Sequence, residues 1–252
     1  MSTLFDLTGR RAIVTGGGRG LGLGITQGLH DAGAAVAILG RRAENSEVAG
    51  RIGASGAPVR AVLGDLSDRD EARRMFGEAV EWLAGVDILV NNAGIQRRSP
   101  SERFAIEDWD DVLETNLTSV FALCQMAGRI MLEQGHGKII NIASMGSFFG
   151  GLNIPAYAAS KGGVVQLTKT LSNEWAGRGV QVNAIAPGYM ATDMNTALID
   201  DAARNAQIMA RIPAGRWGLP EDMAGAAVFL ASSASDYVTG AVIPVDGGYL
   251  VR

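Results

Sequence analysis

The stretch A-I-V-T-G-G-G-R-G-L-G, residues 12–22, decides the fold. Its first four residues form a short apolar run with the β-branched content of a strand. Glycines follow at once, and a helical pattern opens near Gly20. Glycine lets the chain turn sharply and lets backbone approach a ligand closely. The helix that follows offers free N–H groups and the positive end of its dipole, a setting suited to a pyrophosphate. The spacing G-x-x-x-G-x-G is wider than the common G-x-G-x-x-G, but a strand before it and a helix after it are the context that gives such a motif meaning. Gly16, Gly18, Arg19, Gly20, Leu21 and Gly22 are therefore candidate dinucleotide contacts.

Strand-like runs and helical patterns alternate through the rest of the chain. Strands are expected at Ala12–Thr15, Ala35–Leu39, Val59–Leu63, Ile88–Asn91, Lys138–Ala143, Gln181–Ile185 and Ala241–Val245. All but the last are apolar nearly throughout, as expected for parallel strands covered on both faces. Helical patterns fill the gaps, among them Glu71–Leu83, Ser119–Gln134, Pro155–Ala176 and Pro220–Ser232, with Asp68 and Pro220 as helix starts. The expectation is one α/β domain over residues 1–252, a doubly wound, seven-stranded, mostly parallel sheet with helices on both faces. Residues 191–213 break the alternation and read as a helical insertion covering the substrate edge.

Bulk properties narrow the partners. A net charge of −4 and the lack of a basic tract argue against nucleic acid. A single cysteine, Cys124, excludes an intrachain disulfide and fits a reducing, cytoplasmic setting. The opening M-S-T-L-F-D-L-T-G-R-R has no apolar signal region. The longest apolar run, near 224–231, falls short of the ~18 residues a membrane span needs. Two histidines and no cysteine cluster leave no transition-metal site.

The second strand carries the cofactor signal. An NAD-type site usually places a carboxylate at its end, to hold the ribose hydroxyls. Here the strand ends Leu39-Gly40-Arg41-Arg42, with no carboxylate between Asp31 and Glu44. Guanidinium groups pair with a 2′-phosphate, so Arg41 and Arg42, with Arg19, favour NADP(H); NAD is the alternative.

The chemistry is carried by A-Y-A-A-S-K, residues 156–161. Tyr157 and Lys161 lie four apart on a helix and share a face. A phenol near its ordinary ~10 stays protonated at neutral pH and cannot serve as a base there, and a fixed ammonium favours the phenolate. Ser144 ends the strand K-I-I-N-I-A-S and would orient a reacting oxygen. Asn116 lies at the start of another long helix. The set suits proton exchange with a carbinol while a nicotinamide exchanges hydride.

These motifs together resemble the short-chain dehydrogenase/reductase family: T-G-G-G-R-G-L-G (15–22), Asp65-Leu66, N-N-A-G (91–94), Asn116, Ser144, Y-A-A-S-K (157–161) and P-G-Y-M-A-T (187–192). The resemblance spans essentially the whole chain. It implies a Rossmann-type oxidoreductase, usually a homotetramer, with Tyr157 as acid/base. Lys161 would hold the nicotinamide ribose, Ser144 the substrate oxygen, and Asn116 a water linking Lys161 to solvent. Asp65 and Leu66 would lie beside the adenine, and Asn91, Asn92, Ala93 and Gly94 along the adenosine side. Pro187, Gly188, Met190 and Thr192 would hold the carboxamide. The runs N-N-A-G-I-Q-R-R, R-I-P-A-G-R-W-G-L-P-E-D and V-D-G-G-Y-L-V-R are further similar to bacterial sugar-acid dehydrogenases acting on gluconate and deoxygluconates. Arg97 and Arg98 could then meet a substrate carboxylate, whereas Arg216 and Trp217 read as structural. The alternatives are a 3-oxoacyl-thioester (acyl-carrier-protein) reductase, which would use the same catalytic set, and a non-catalytic nucleotide-sensing protein.

Overall fold

The computed structural model describes residues 3–252. Seven strands, β1 (Arg11–Thr15), β2 (Ala35–Gly40), β3 (Val59–Leu63), β4 (Ile88–Asn91), β5 (Gly137–Ile142), β6 (Val180–Pro187) and β7 (Val242–Val245), form one sheet in the order β3-β2-β1-β4-β5-β6-β7. Every pairing is parallel. The expected strands are all present to within about two residues at each end, an offset no larger than the uncertainty of any boundary. The strand order reverses between β1 and β4, the switch point where ligands bind at the carboxyl ends of such sheets.

Helices cover both faces. On one side α1 (Gly20–Asp31) and α9 (Ala224–Ala231) enclose a core of Ile25, Leu29, Val36, Val90, Ile140 and Leu230. On the other, α3 (Arg69–Leu83), α5 (Ser119–Gln134) and α6 (Pro155–Trp175) enclose Ile13, Leu39, Met75, Leu89, Leu123, Met131 and Ile139. The local sequence sets the ends. The Asp68 carboxylate accepts from the N–H groups of Asp70 (2.9 Å) and Glu71 (3.1 Å), capping α3. Pro155, whose missing N–H costs nothing at a helix start, opens α6. The shorter helices are α2 (Glu44–Ile52), α4 (Ile106–Leu113), α7 (Thr196–Asp200) and α8 (Ala202–Met209). The last two lie between β6 and β7 in the chain. No described helix is long and apolar enough to cross a membrane.

Two expectations change in detail. The strand β3 is an edge, and its pattern is mixed: only Val62 is fully buried, while Leu63 is exposed. The helix expected over Pro220–Ser232 is a 3₁₀ turn, Pro220–Met223, followed by α9. Asp222 explains the tight turn: its carboxylate accepts from the Leu219 N–H at 2.7 Å and pairs with Arg216 at 2.6 Å. That pairing holds its carboxyl down at about 2. Arg216 thus sits in the turn before α9, a structural place.

Candidate active site

A cleft of about 390 Å³ opens along the carboxyl ends of β1, β2, β4, β5 and β6. The glycine turn forms one wall. Gly16 (φ +63°) and Gly20 (φ +47°) hold left-handed backbone that favours glycine. A Cβ on Gly22 would strike the Gly16 carbonyl oxygen. The Thr15 hydroxyl accepts from the N–H groups of Asn92 and Ala93, both at 2.9 Å, and so fixes the turn to the end of β4. The Asn92 amide donates to the Thr15 and Gly16 carbonyls at 2.9 and 3.2 Å. This cradle has no room for a side chain at Gly22 and ends on a helix N-terminus, and it fits a dinucleotide pyrophosphate.

The end of the cleft beside β2 and β3 carries Arg41, Arg42, Asp65, Leu66 and Asn45. Arg41 pairs with Asp65 at 3.2 Å. The Ser67 N–H and hydroxyl also donate to Asp65, at 2.9 and 2.7 Å. Partial burial pushes the Asp65 carboxyl up, but Ser67 and Arg41 outweigh it and leave it below its ordinary value. Two guanidinium groups with no acid on the end of β2 fit a 2′-phosphate better than bare ribose hydroxyls.

The opposite end of the cleft is built from β5 and α6. Ser144 follows β5, and its hydroxyl oxygen accepts from the Gly146 N–H at 3.1 Å. Tyr157 lies across from it on the first turn of α6, its ring part-covered by the cleft wall. One turn on, Lys161 is only 4% exposed and its ammonium donates to the Ile142 carbonyl at 2.6 Å. Its Nζ lies 5.8 Å from the centre of the Tyr157 ring. Burial pulls the Lys161 pKa down to about 8. Burial also pushes the Tyr157 phenol up, against Ser144 and the charge of Arg98, which favour its ionisation. A phenol lowered by Lys161 was expected; the polypeptide's own groups leave it raised, because desolvation of the phenolate outweighs them. A lowered phenol needs an additional positive charge in the cleft.

The remaining expected residues divide between the wall and the layer behind it. Leu21, Gly22, Asn92, Ala93, Gly94, Pro187, Gly188, Met190 and Thr192 line the cleft. Gly18 does not: it packs against Asn45, whose side chain fills the space a Cβ would need. Asn91 is also off the wall. It is 2% exposed, and its amide nitrogen donates to Asn141 Oδ1 at 2.8 Å and Cys124 Sγ at 3.2 Å in the sheet interior. Asn116 stands behind Gly94, in a π-turn at Glu114–Thr118. Its carboxamide is fully engaged by protein, with Ile95 N–H (2.8 Å), the Ile95 carbonyl (2.9 Å) and the Ser160 hydroxyl (3.3 Å). Its side chain therefore ties the loop after β4 to α6. Arg97 reaches the cleft but is held by Asp108 at 3.2 Å and Asp111 at 3.8 Å. Several wall residues were not anticipated, among them Asn45, Ser67, Thr115, Asp193 and Asn195. Asn45 had a signal, its place in the first turn of a helix just after the Arg41-Arg42 pair; Asp193 had none.

Comparison with known proteins agrees with this geometry. A family model described as enoyl-(acyl carrier protein) reductase matches residues 16–250. The chain is 49% identical to the 2-dehydro-3-deoxy-D-gluconate 5-dehydrogenase of Bacillus subtilis over 248 residues, covering 98% of this chain and 97% of the relative. A Beutenbergia cavernae structure with bound NADP superposes with a TM-score of 0.96 at 50% identity, covering 99% of this chain and 100% of that one. The gluconate 5-dehydrogenase of Burkholderia cenocepacia, in complex with NADP and tartrate, gives 0.95 at 44% identity, covering 99% and 98% of the two chains. With end-to-end similarity at these identities and Ser144, Tyr157 and Lys161 on one cleft, the chain belongs to the short-chain dehydrogenase/reductase family.

Proposed function

We propose that the protein is an NADP(H)-dependent oxidoreductase that interconverts a secondary hydroxyl and a ketone on a sugar acid of the gluconate or deoxygluconate kind. The observation that carries this reading is a cleft whose glycine cradle leads to Ser144, Tyr157 and Lys161 on one wall. When bound, the nicotinamide supplies the hydride acceptor or donor. The side chains do the rest. Ser144 holds the reacting oxygen by a hydrogen bond. Tyr157 takes the hydroxyl proton in oxidation and returns it in reduction. Lys161 keeps a positive charge one turn below and has two donors beyond the one used on Ile142, enough to grip the ribose. Gly16, Gly20, Leu21, Gly22, Asn92 and Gly94 hold the dinucleotide, with Arg41, Arg42 and Asp65 at its adenosine end. Pro187, Gly188, Met190 and Thr192 shape the carboxamide end, and α7 and α8 cover the substrate. The reading includes a homotetramer in the cytoplasm; the small residues Ala158, Ala159 and Gly162 of α6, half-buried or exposed, would allow close subunit packing.

The two arginines after β4 part company here. Arg97 is committed to α4, whereas Arg98 makes no ion pair among the described residues. Arg98 is exposed beside the cleft wall rather than on it, its charge favours ionisation of the Tyr157 phenol, and in this reading it turns in to meet a substrate carboxylate. A charged hydrogen bond is worth ~1.5–3 kcal/mol, so Arg98→Gln should raise KM for a sugar acid by roughly 10- to 100-fold. Loss on the matching uncharged polyol should be much smaller. Equal losses on acid and polyol would remove Arg98 from substrate recognition.

The cofactor half has its own test. Arg41→Asp should weaken NADPH binding by roughly 10- to 100-fold, the worth of one charge-assisted contact, and leave NADH less affected. An unchanged preference would take Arg41 out of the site. For the reaction itself, gluconate, deoxygluconates, their ketones, polyols and a 3-oxoacyl thioester are assayed by nicotinamide absorbance with each cofactor. Turnover confined to sugar acids is expected. Turnover confined to the thioester would replace this reading with an acyl-thioester reductase, and none on any substrate would favour a binding protein.

A further inference from the structure

One ion pair joins the two lips of the cleft. Arg19, the residue before α1, reaches across to Asp193 at 3.2 Å. They are 174 residues apart in the chain, and both line the cleft. Beneath them the lips nearly touch: a Cβ on Gly20 would lie 3.6 Å from Thr192 Cγ2. On its other side Arg19 adjoins the adenosine end. Its neighbour Gly18 packs on Asn45, and Asn45 in turn abuts Gly40 at the end of β2, next to Arg41. A long guanidinium side chain rooted there has two directions open to it. One leads to the Asp193 carboxylate; the other leads to the ribose end, where Arg41 and Arg42 stand.

We propose that Asp193 is a specificity-determining residue, which limits the preference for the phosphorylated dinucleotide by competing with its 2′-phosphate for Arg19. This rests on the NADP(H) reading above and adds a residue that acts against it. A phosphate carries more charge than a carboxylate and offers three acceptor oxygens. It therefore draws Arg19 over when it binds, and binding loses the worth of the broken pair. The unphosphorylated cofactor has no phosphate at that position and leaves the pair intact. Both partners are exposed, 56% for Arg19 and 84% for Asp193, so the pair is weak and breakable. Asp193 then lowers the affinity for NADPH without touching that for NADH, which narrows the selectivity that Arg41 and Arg42 create.

The test is a double-mutant cycle read by fluorescence titration of NADPH and NADH on the full chain without substrate. Asp193→Asn keeps the shape and removes the charge. It should tighten NADPH by about two- to fivefold, the worth of an exposed ion pair, and leave NADH unchanged. In an Arg19→Gln background the same substitution should change neither. Three results would overturn the inference: no change in NADPH affinity, equal tightening of both cofactors, or the same NADPH gain with Arg19 absent. The last would reveal a general charge effect rather than competition. A wild-type protein that binds NADH and not NADPH would instead sink the cofactor reading, and this inference with it.

Discussion

Tyr157→Phe should lower kcat by about 10²- to 10⁴-fold, the usual contribution of a positioned acid/base, while the NADPH dissociation constant stays within about twofold. The substitution removes one oxygen and keeps the ring in the wall, so the cleft is preserved. In the proposed reaction no other described group near Ser144 can take its place. Lys161 is buried and bound to the Ile142 carbonyl, and Asn116 is engaged with Ile95 and Ser160. A fall in kcat with binding retained marks a group that acts in the transition state. Loss of both together would mean instead that the phenol supports the cleft.

Lys161→Met carries the other large effect, and it has two parts. Turnover should fall by a similar factor, because the ammonium that in the proposed reaction grips the ribose is gone. Stability should change with pH in a defined direction. Folding lowers this lysine from an ordinary 10.5 to about 8 because burial disfavours its charge. A depressed folded-state pKa gives stability that is fully present above the unfolded value and lost as pH falls through the folded one. Measured against Lys161→Met, the wild-type protein should therefore gain unfolding free energy between pH 8 and 10.5. The gain should reach about 3 kcal/mol, at ~1.36 kcal/mol per pH unit. Denaturant melts of both proteins across that range check it. A flat difference would show that the ammonium is better solvated than its burial implies.

Much of this was legible in the sequence for one physical reason. Parallel strands buried on both faces read as unbroken apolar runs, so β1, β2, β4, β5 and β6 stand out against the helical periods. The edge β3 shows why that signal fades where one side meets solvent. Tyr157 and Lys161 were legible because a helix places residues four apart on one face. Asn91 and Asn92 show the limit. Successive residues of an extended chain point to opposite sides, so the cleft residue depends on where β4 ends, and Asn91 faces the interior. The division between Arg97 and Arg98 was hidden because it depends on Asp108 and Asp111 of α4, which no local pattern ties to them. The Arg19–Asp193 pair was hidden by distance along the chain.

The raised phenol sharpens the central claim. Burial holds Tyr157 above its ordinary value against the pull of Ser144 and Arg98. Bringing it from above ~10 into the range of a useful base would take more than the roughly 3–4 kcal/mol of a two- to three-unit fall from ~10, which the positive charge of an oxidised nicotinamide would have to supply. The direct measurement is a pH titration of tyrosinate absorbance, wild type minus Tyr157→Phe, with and without saturating NADP⁺. The account predicts a difference signal that titrates above the ordinary value of ~10 in the protein alone and well below it once NADP⁺ is present. A phenol that titrates above ~10 in both conditions would contradict the assignment of Tyr157 as the proton carrier.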